Sequence, residues 1–127
     1  MGFSVIRRGE LEWKTRPPEP GGAERHVAAL TDGAGLQHTR ANLWRYEPGA
    51  RGRRHKDLIQ EETFVVLSGT LTMYLGEPPE RHETDGVVHV EAGTPLQIVN
   101  EGDEELVLFV YGAPPEHGNA EFLDSAV

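Results

Sequence analysis

Three polar side chains with the chemistry of metal ligands or acid–base groups lie close together near the middle of the chain. His55 and Asp57 are two residues apart, so on an extended segment their side chains point to the same face. Glu62 opens an apolar run that turns at Ser68 and Gly69 and returns as a second strand. This spacing predicts that an imidazole and two carboxylates converge on one interior beside a hairpin.

The chemistry available to these groups leaves three alternatives open. A ring nitrogen from His55 and carboxylate oxygens from Asp57 and Glu62 could hold a divalent ion such as Mn, Fe, Ni or Zn. Without a metal, His55 is the candidate catalytic acid or base, oriented by a neighbouring carboxylate. The third alternative is a hydrogen-bonded cluster in a partly polar interior.

The spacing around these residues resembles the first motif of the cupin family. Five residues separate Gly49 from His55, Asp57 stands where the family has a second His, and Glu62 is followed by six residues and Gly69. The apolar run after Glu62 is also similar to the family's strand and hairpin. The resemblance covers about residues 43–112 and implies an all-β fold, a double-stranded β-helix or jelly-roll barrel with a central pocket.

The second motif of that family matches at Gly86, Gly93 and Asn100, but Leu96 occupies the position of the third metal-binding His. Gln97 is next to that position and could supply an oxygen if a bulge rotated the strand by one residue. We therefore predict either no cofactor or a divalent transition metal held by His55, Asp57, Glu62 and Gln97. The resemblance implies a ligand pocket lined by His55, Asp57, Glu62, Phe64, Tyr74, Leu96 and Ile98.

Short apolar runs separated by Gly, Pro or Asp indicate strands rather than helices. Such spacing is typical of an all-β sandwich or barrel. A polar segment with a Pro pair, residues 77–85, is predicted to be a surface loop. Strands are predicted at residues 25–30, 37–46, 63–67, 71–75, 87–90, 96–99 and 106–111.

Length and composition limit the possible functions. The chain has 127 residues and no cysteine, so we expect one cupin domain over residues 1–127 without disulfides or thiolate chemistry. Residues 1–22 are predicted to form an N-terminal arm and loop, and residues 116–127 a polar C-terminal tail. The formal charge of −9 argues against nucleic acid, and no segment has the apolar length of a membrane span. We expect a cytoplasmic homodimer, with the arm pairing with a neighbouring subunit.

A basic cluster precedes His55 at the predicted mouth of the barrel. Arg51, Arg53 and Arg54 could meet a carboxylate or phosphate of a ligand, although a solvated loop is the simpler interpretation. Taken together, the residues and the resemblance favour a small-molecule-binding protein with a degenerate metal site. The alternative is a metal-dependent oxygenase or isomerase acting on a small polar substrate.

Overall fold

The structure is a computed structural model and describes residues 2–115 and 119–127. Regular elements within these residues are almost entirely β-strands, because short alternating apolar segments are interrupted by turn residues. The helical parts are one turn of 3-10 helix, Arg8–Glu10, and the short helix α1, Leu30–Gly33. The strands are β1 (Trp13–Arg16), β2 (Arg25–Ala29), β3 (Arg40–Tyr46), β4 (His55–Lys56), β5 (Glu61–Ser68), β6 (Leu71–Leu75), β7 (Glu80–Thr84), β8 (Val87–Val90), β9 (Leu96–Val99), β10 (Leu106–Ala113) and β11 (Glu121–Phe122).

Two antiparallel sheets build the molecule. One sheet has six strands in the order β1-β2-β3-β10-β5-β8, and the other has five strands in the order β11-β4-β9-β6-β7. Neighbours in both sheets come from distant parts of the sequence, such as β3 beside β10 and β4 beside β9. The all-β jelly-roll fold class predicted from the sequence is confirmed.

The core lies between the two sheets and draws side chains from both of them. Leu71 and Met73 on β6 and Leu106 and Leu108 on β10 are completely buried, and Phe64 on β5 packs in the same cluster. Burial of an aliphatic or aromatic side chain of this size contributes roughly 1.5–3 kcal/mol. These contacts hold the two sheets together around the cavity described below.

A tight turn at Gly69 joins β5 to β6. Its φ of +82° lies in the left-handed region, and a Cβ at this position would sit 2.6 Å from the carbonyl oxygen of Glu105. Glycine is therefore required both by the backbone conformation and by the close approach of the neighbouring chain. β5 and β6 lie in different sheets and do not pair with each other, so the hairpin predicted from the sequence is wrong, and the turn instead carries the chain from one sheet to the other.

Three segments differ from or add to the sequence prediction. The predicted surface loop over residues 77–85 is wrong in part, because β7 forms there and pairs along its whole length with β6. In the predicted arm, β1 pairs with β2 of the same chain. The predicted tail begins at residues 116–118, outside the described residues, and its described part contributes β11, which pairs with β4. No helix among the described residues is long and apolar enough to cross a membrane.

Candidate functional site

A cavity of about 370 Å³ opens between the sheets, beside the short strands β4 and β11. Six of the seven residues predicted for the ligand pocket line it: His55, Asp57, Glu62, Phe64, Leu96 and Ile98. The seventh, Tyr74, lies elsewhere, and its hydroxyl donates a hydrogen bond to Glu101 at 2.7 Å near the surface. The cavity therefore collects the three titratable groups together with an apolar floor.

Three different elements bring His55, Asp57 and Glu62 together. His55 lies on β4, Asp57 follows directly after that strand, and Glu62 is the second residue of β5 in the opposite sheet. One potential ligand atom from each of the three side chains lies within 4.8 Å of the other two. The two-residue spacing and the two-sheet fold thus produce a compact imidazole and carboxylate cluster, which we call the His55 cluster.

The backbone determines which nitrogen of His55 carries a proton. Nδ1 lies 3.0 Å from the carbonyl oxygen of Arg53. Because a carbonyl only accepts, Nδ1 must donate, and this leaves Nε2 as the nitrogen directed at the cluster. Nε2 is 3.8 Å from Oδ2 of Asp57, too far for a direct hydrogen bond. A cation or a bridging oxygen fits between the two groups.

The side chains of the His55 cluster could hold a divalent ion, but they provide fewer ligands than a metal site whose coordination is completed by the protein. One nitrogen and two carboxylate groups can provide three ligands, and the hydrogen bond from Nδ1 to Arg53 orients the ring as in many metal sites. On the strand facing His55, the paired residue is Leu96, which is 2% exposed and has no donor atom. Position 96 therefore offers no ligand atom to the cluster.

Gln97 is not brought to the His55 cluster. Its amide nitrogen donates to the carbonyl of Gly52 at 3.0 Å, and its side-chain oxygen accepts from the backbone nitrogen of Ala126 at 2.8 Å. Alternation along β9 sends Leu96 and Ile98 into the cavity and Gln97 to the other side. Gln97 instead holds the C-terminal segment against the barrel.

The segment around β11 forms one wall of the cavity. Phe122 is paired with His55 across the strands, and their ring centroids are 6.2 Å apart. The guanidinium of Arg53 lies over the Phe122 ring at 3.7 Å, a cation–π arrangement. A backbone hydrogen bond of 2.8 Å from Leu123 to Arg54 continues the attachment. The aromatic ring of Phe122 thus limits access to His55.

Four arginines line the same cavity: Arg16, Arg25, Arg40 and Arg53. Of these, only Arg53 was identified from the sequence. Arg54 from the predicted basic cluster is buried and pairs with Glu77 at 3.0 Å. Arg51 donates to the carbonyl oxygen of Pro20. The alternation of side chains along the predicted strand at residues 25–30 could have indicated that Arg25 points to the interior. Its position beside Arg16 depends on the pairing of β1 with β2.

Tyr46 lies at the same side of the cavity and stays neutral over a wide pH range. Burial raises its pKa above the ordinary value of 10.0, and the neighbouring positive charge of Arg25 offsets this only in part. A Cβ on Gly52 would lie 2.9 Å from the Tyr46 hydroxyl, so the glycine leaves room for that group. Tyr46 therefore offers an uncharged hydroxyl close to Arg25.

A second group of potential ligands, Glu24, His26 and Glu47, lies apart from this cavity. Both ring nitrogens of His26 are within hydrogen-bond distance of other side chains, Thr15 at 2.9 Å and Glu47 at 2.8 Å. These contacts satisfy both nitrogens of the imidazole, whereas Nε2 of His55 is 3.8 Å from Oδ2 of Asp57. The group is explained as a polar contact between β1, β2 and the end of β3.

Comparison with known proteins agrees with this architecture. Residues 42–112 match the family model described as the cupin domain. A candidate sugar phosphate isomerase from Acidithiobacillus ferrooxidans is 27% identical, with a TM-score of 0.71 over 86% of this chain and 74% of that one. No curated protein sequence matches the chain.

Two more distant structures share the fold. A predicted oxalate decarboxylase from Thermotoga maritima is 18% identical, with a TM-score of 0.73 over 88% of this chain and 100% of that one. The polyketide cyclase RemF from Streptomyces resistomycificus is 16% identical, with a TM-score of 0.76 over 96% and 86%. At these identities the likeness concerns the fold alone.

Proposed function

This chain belongs to the cupin family, and we propose that it binds a small polar molecule in the barrel cavity, at the His55 cluster, without a stoichiometric metal. The observation that carries the proposal is the pairing of His55 with Leu96. A buried leucine cannot donate to a metal, and small shifts cannot replace a missing ligand. The remaining three donors suit hydrogen bonds to a polar ligand better than a closed metal shell.

The 3.8 Å gap between Nε2 of His55 and Asp57 supports a ligand that bridges them. A hydroxyl group placed in the gap has one proton to donate: it donates to a carboxylate and accepts from a protonated Nε2, or it donates to an unprotonated Nε2 and accepts from a protonated carboxyl group. Glu62 offers a second carboxylate within reach of the same position. His55 is the residue that would exchange a proton with a bound substrate, because Nδ1 donates to the carbonyl oxygen of Arg53 and Nε2 is directed at the cluster.

The second candidate function is a metal-dependent oxygenase or isomerase acting on a small polar substrate. It is favoured by the convergence of His55, Asp57 and Glu62 within 4.8 Å and by the likeness to a candidate sugar phosphate isomerase. A divalent ion held by these residues would supply a Lewis acid. The protein side chains would orient the substrate, and Phe122 would restrict the entry of water.

A ligand screen by thermal denaturation tests the proposed function. Small polyols, hydroxy acids and sugar phosphates are added to the chelator-treated protein and to the variants His55→Gln and His89→Gln. We expect that compounds that raise the melting temperature of the parent have no effect on His55→Gln and keep their effect on His89→Gln, whose imidazole is exposed outside the cavity. Stabilisation that persists in His55→Gln would contradict the proposal.

We also infer that the protein is a homodimer that associates through the outer face of the six-stranded sheet. The register of the sheet aligns apolar residues in one row across all six strands: Trp13, Ala28, Leu43, Phe109, Val65 and Val87. The charges beside this row, Arg45 and Glu105, neutralise each other at 3.1 Å. Two copies with a net charge of −9 each could meet there without adding like charges.

A further inference from the structure

More arginines than carboxylates line the cavity, although the protein as a whole is acidic. Arg16, Arg25 and Arg40, together with Arg53, line a cavity of about 370 Å³, whereas the chain has a formal charge of −9. The two carboxylates of the same cavity, Asp57 and Glu62, offset part of this charge, and like charges gathered in a concave site repel one another unless further opposite charge joins them. The distribution needs an explanation beyond general surface charge.

Arg16 and Arg25 are direct partners in the pairing of β1 with β2. Side chains opposite each other in an antiparallel pair have Cβ atoms about 5 Å apart, and like charges at that distance destabilise the sheet. Both side chains line the cavity rather than opposite faces of the sheet. The sheet therefore places two positively charged side chains opposite each other on one face, a pairing that like-charge repulsion disfavours.

Arg25 is the more deeply buried of the two, with its side chain only 12% exposed. Its Nε is inaccessible and has no hydrogen-bond partner among the described residues, and its ion pair with Glu19 is long, at 4.0 Å. The guanidinium lies 5.6 Å from the ring centroid of Trp44 and 5.9 Å from that of Tyr46. These rings fix the side chain in position while leaving its charge incompletely compensated.

We propose that Arg16 and Arg25 bind the anionic group, a carboxylate or a phosphate, of the small molecule that occupies this cavity. Planar guanidinium groups match the paired oxygens of both anions. The ligand then carries its anion at the β1 and β2 side and a hydroxyl or carbonyl oxygen at the His55 cluster. This inference rests on the proposed function, because it assigns the ligand class of the same cavity.

Calorimetric titration with inorganic phosphate and with malonate, at low salt, tests the inference. The parent is compared with Arg16→Gln and Arg25→Gln, and with the control Arg45→Gln, which lies on the outer face of the same sheet over Trp13. We expect the dissociation constant to rise about tenfold or more in the first two variants, because charge-assisted hydrogen bonds are lost, and to stay unchanged in the control. Tighter binding of phosphate or of malonate identifies which anion the ligand carries.

Two results would overturn the inference. One is that neither anion binds the parent, and the other is that Arg45→Gln weakens binding as much as Arg16→Gln, which would indicate a general charge effect. If Arg25→Gln fails to fold, Arg16→Gln decides, because Arg16 is exposed on an edge strand. If neutral polyols bind in a His55-dependent manner while neither anion binds, this inference fails and the proposed function stands.

Discussion

The pairing of His55 with Leu96 decides how many donors surround the cluster. We predict that Leu96→His adds a fourth donor to His55, Asp57 and Glu62 and strengthens Zn²⁺ binding by about tenfold or more. Gln97→His is the matched control, because it places the same side chain one residue later, on the side of β9 that faces Ser125. Calorimetry of both variants with Zn, Mn and Ni measures the difference.

Equal metal binding by Leu96→His and the parent would contradict this account of the cluster. It would mean that a side chain at position 96 does not reach the ligand atoms of the cluster, or that the parent already binds a metal through another set of ligands. An equal gain from Gln97→His would argue against the alternation of side chains along β9.

Tyr46 is predicted to make the stability of the protein depend on pH in the alkaline range. Its pKa is raised in the folded state by burial, so above pH 10.0 the unfolded chain releases the proton while the native protein keeps it. Stability from this group is complete below pH 10.0 and decreases as the pH rises through the folded-state pKa. Urea unfolding of the parent and of Tyr46→Phe between pH 8 and 11 should show a shallower decrease in the variant; parallel curves would refute this role.

At the scale of elements, the crossing of the chain from β5 to β6, between the two sheets, depends on the turn at Gly69. We predict that Gly69→Ala costs more than Gly93→Ala, although both glycines have φ near +80°. A left-handed alanine costs roughly 1–2 kcal/mol, and at Gly69 the Cβ also collides with the backbone of Glu105, whereas nothing lies within 4 Å at Gly93. The collision should add roughly 1–3 kcal/mol. Denaturant unfolding of both variants measures this, and equal losses would contradict the contact.

Strands that bury part of their side chains could be predicted from the sequence, but β7 could not. β6, β8 and β9 begin and end where the apolar segments and the turn residues indicated, because both burial and turn chemistry act there. β7 was missed since its side chains are mostly exposed. A strand without a buried face has no alternation to detect.

The candidate site was predictable only where its residues are near one another in the sequence. The spacing of His55, Asp57 and Glu62 predicts that their side chains converge, because His55 and Asp57 share one extended segment. Arg16 and Arg25 reach the same cavity through the pairing of β1 with β2, which the sequence did not predict. Tyr74 was assigned to the pocket from the resemblance, yet its hydroxyl bonds Glu101 outside the cavity.

At the scale of the whole molecule, we predict a homodimer formed by the outer face of the six-stranded sheet. Val87→Asp places a charge at a residue that is 60% exposed at the end of the apolar row and should produce a monomer. Val5→Asp is the control, since Val5 is equally apolar and 68% exposed but lies in the N-terminal segment. Sedimentation at high micromolar concentration reports the mass of each.

A monomeric parent would refute the dimer. A dimer that is lost in Val5→Asp and kept in Val87→Asp would assign the contact to the N-terminal segment instead. Circular dichroism of both variants shows whether the fold is retained, so that a change in mass can be attributed to the interface.

The metal content of the protein tests the central claim most directly. The claim is that the cavity binds a small polar molecule through His55, Asp57 and Glu62 without a stoichiometric metal. The protein is expressed in medium supplemented with Mn, Fe, Ni and Zn, purified without chelator, and analysed by elemental mass spectrometry. We expect far less than one transition-metal ion per chain. One ion per chain that disappears in His55→Gln would contradict the claim and support the metal-dependent enzyme.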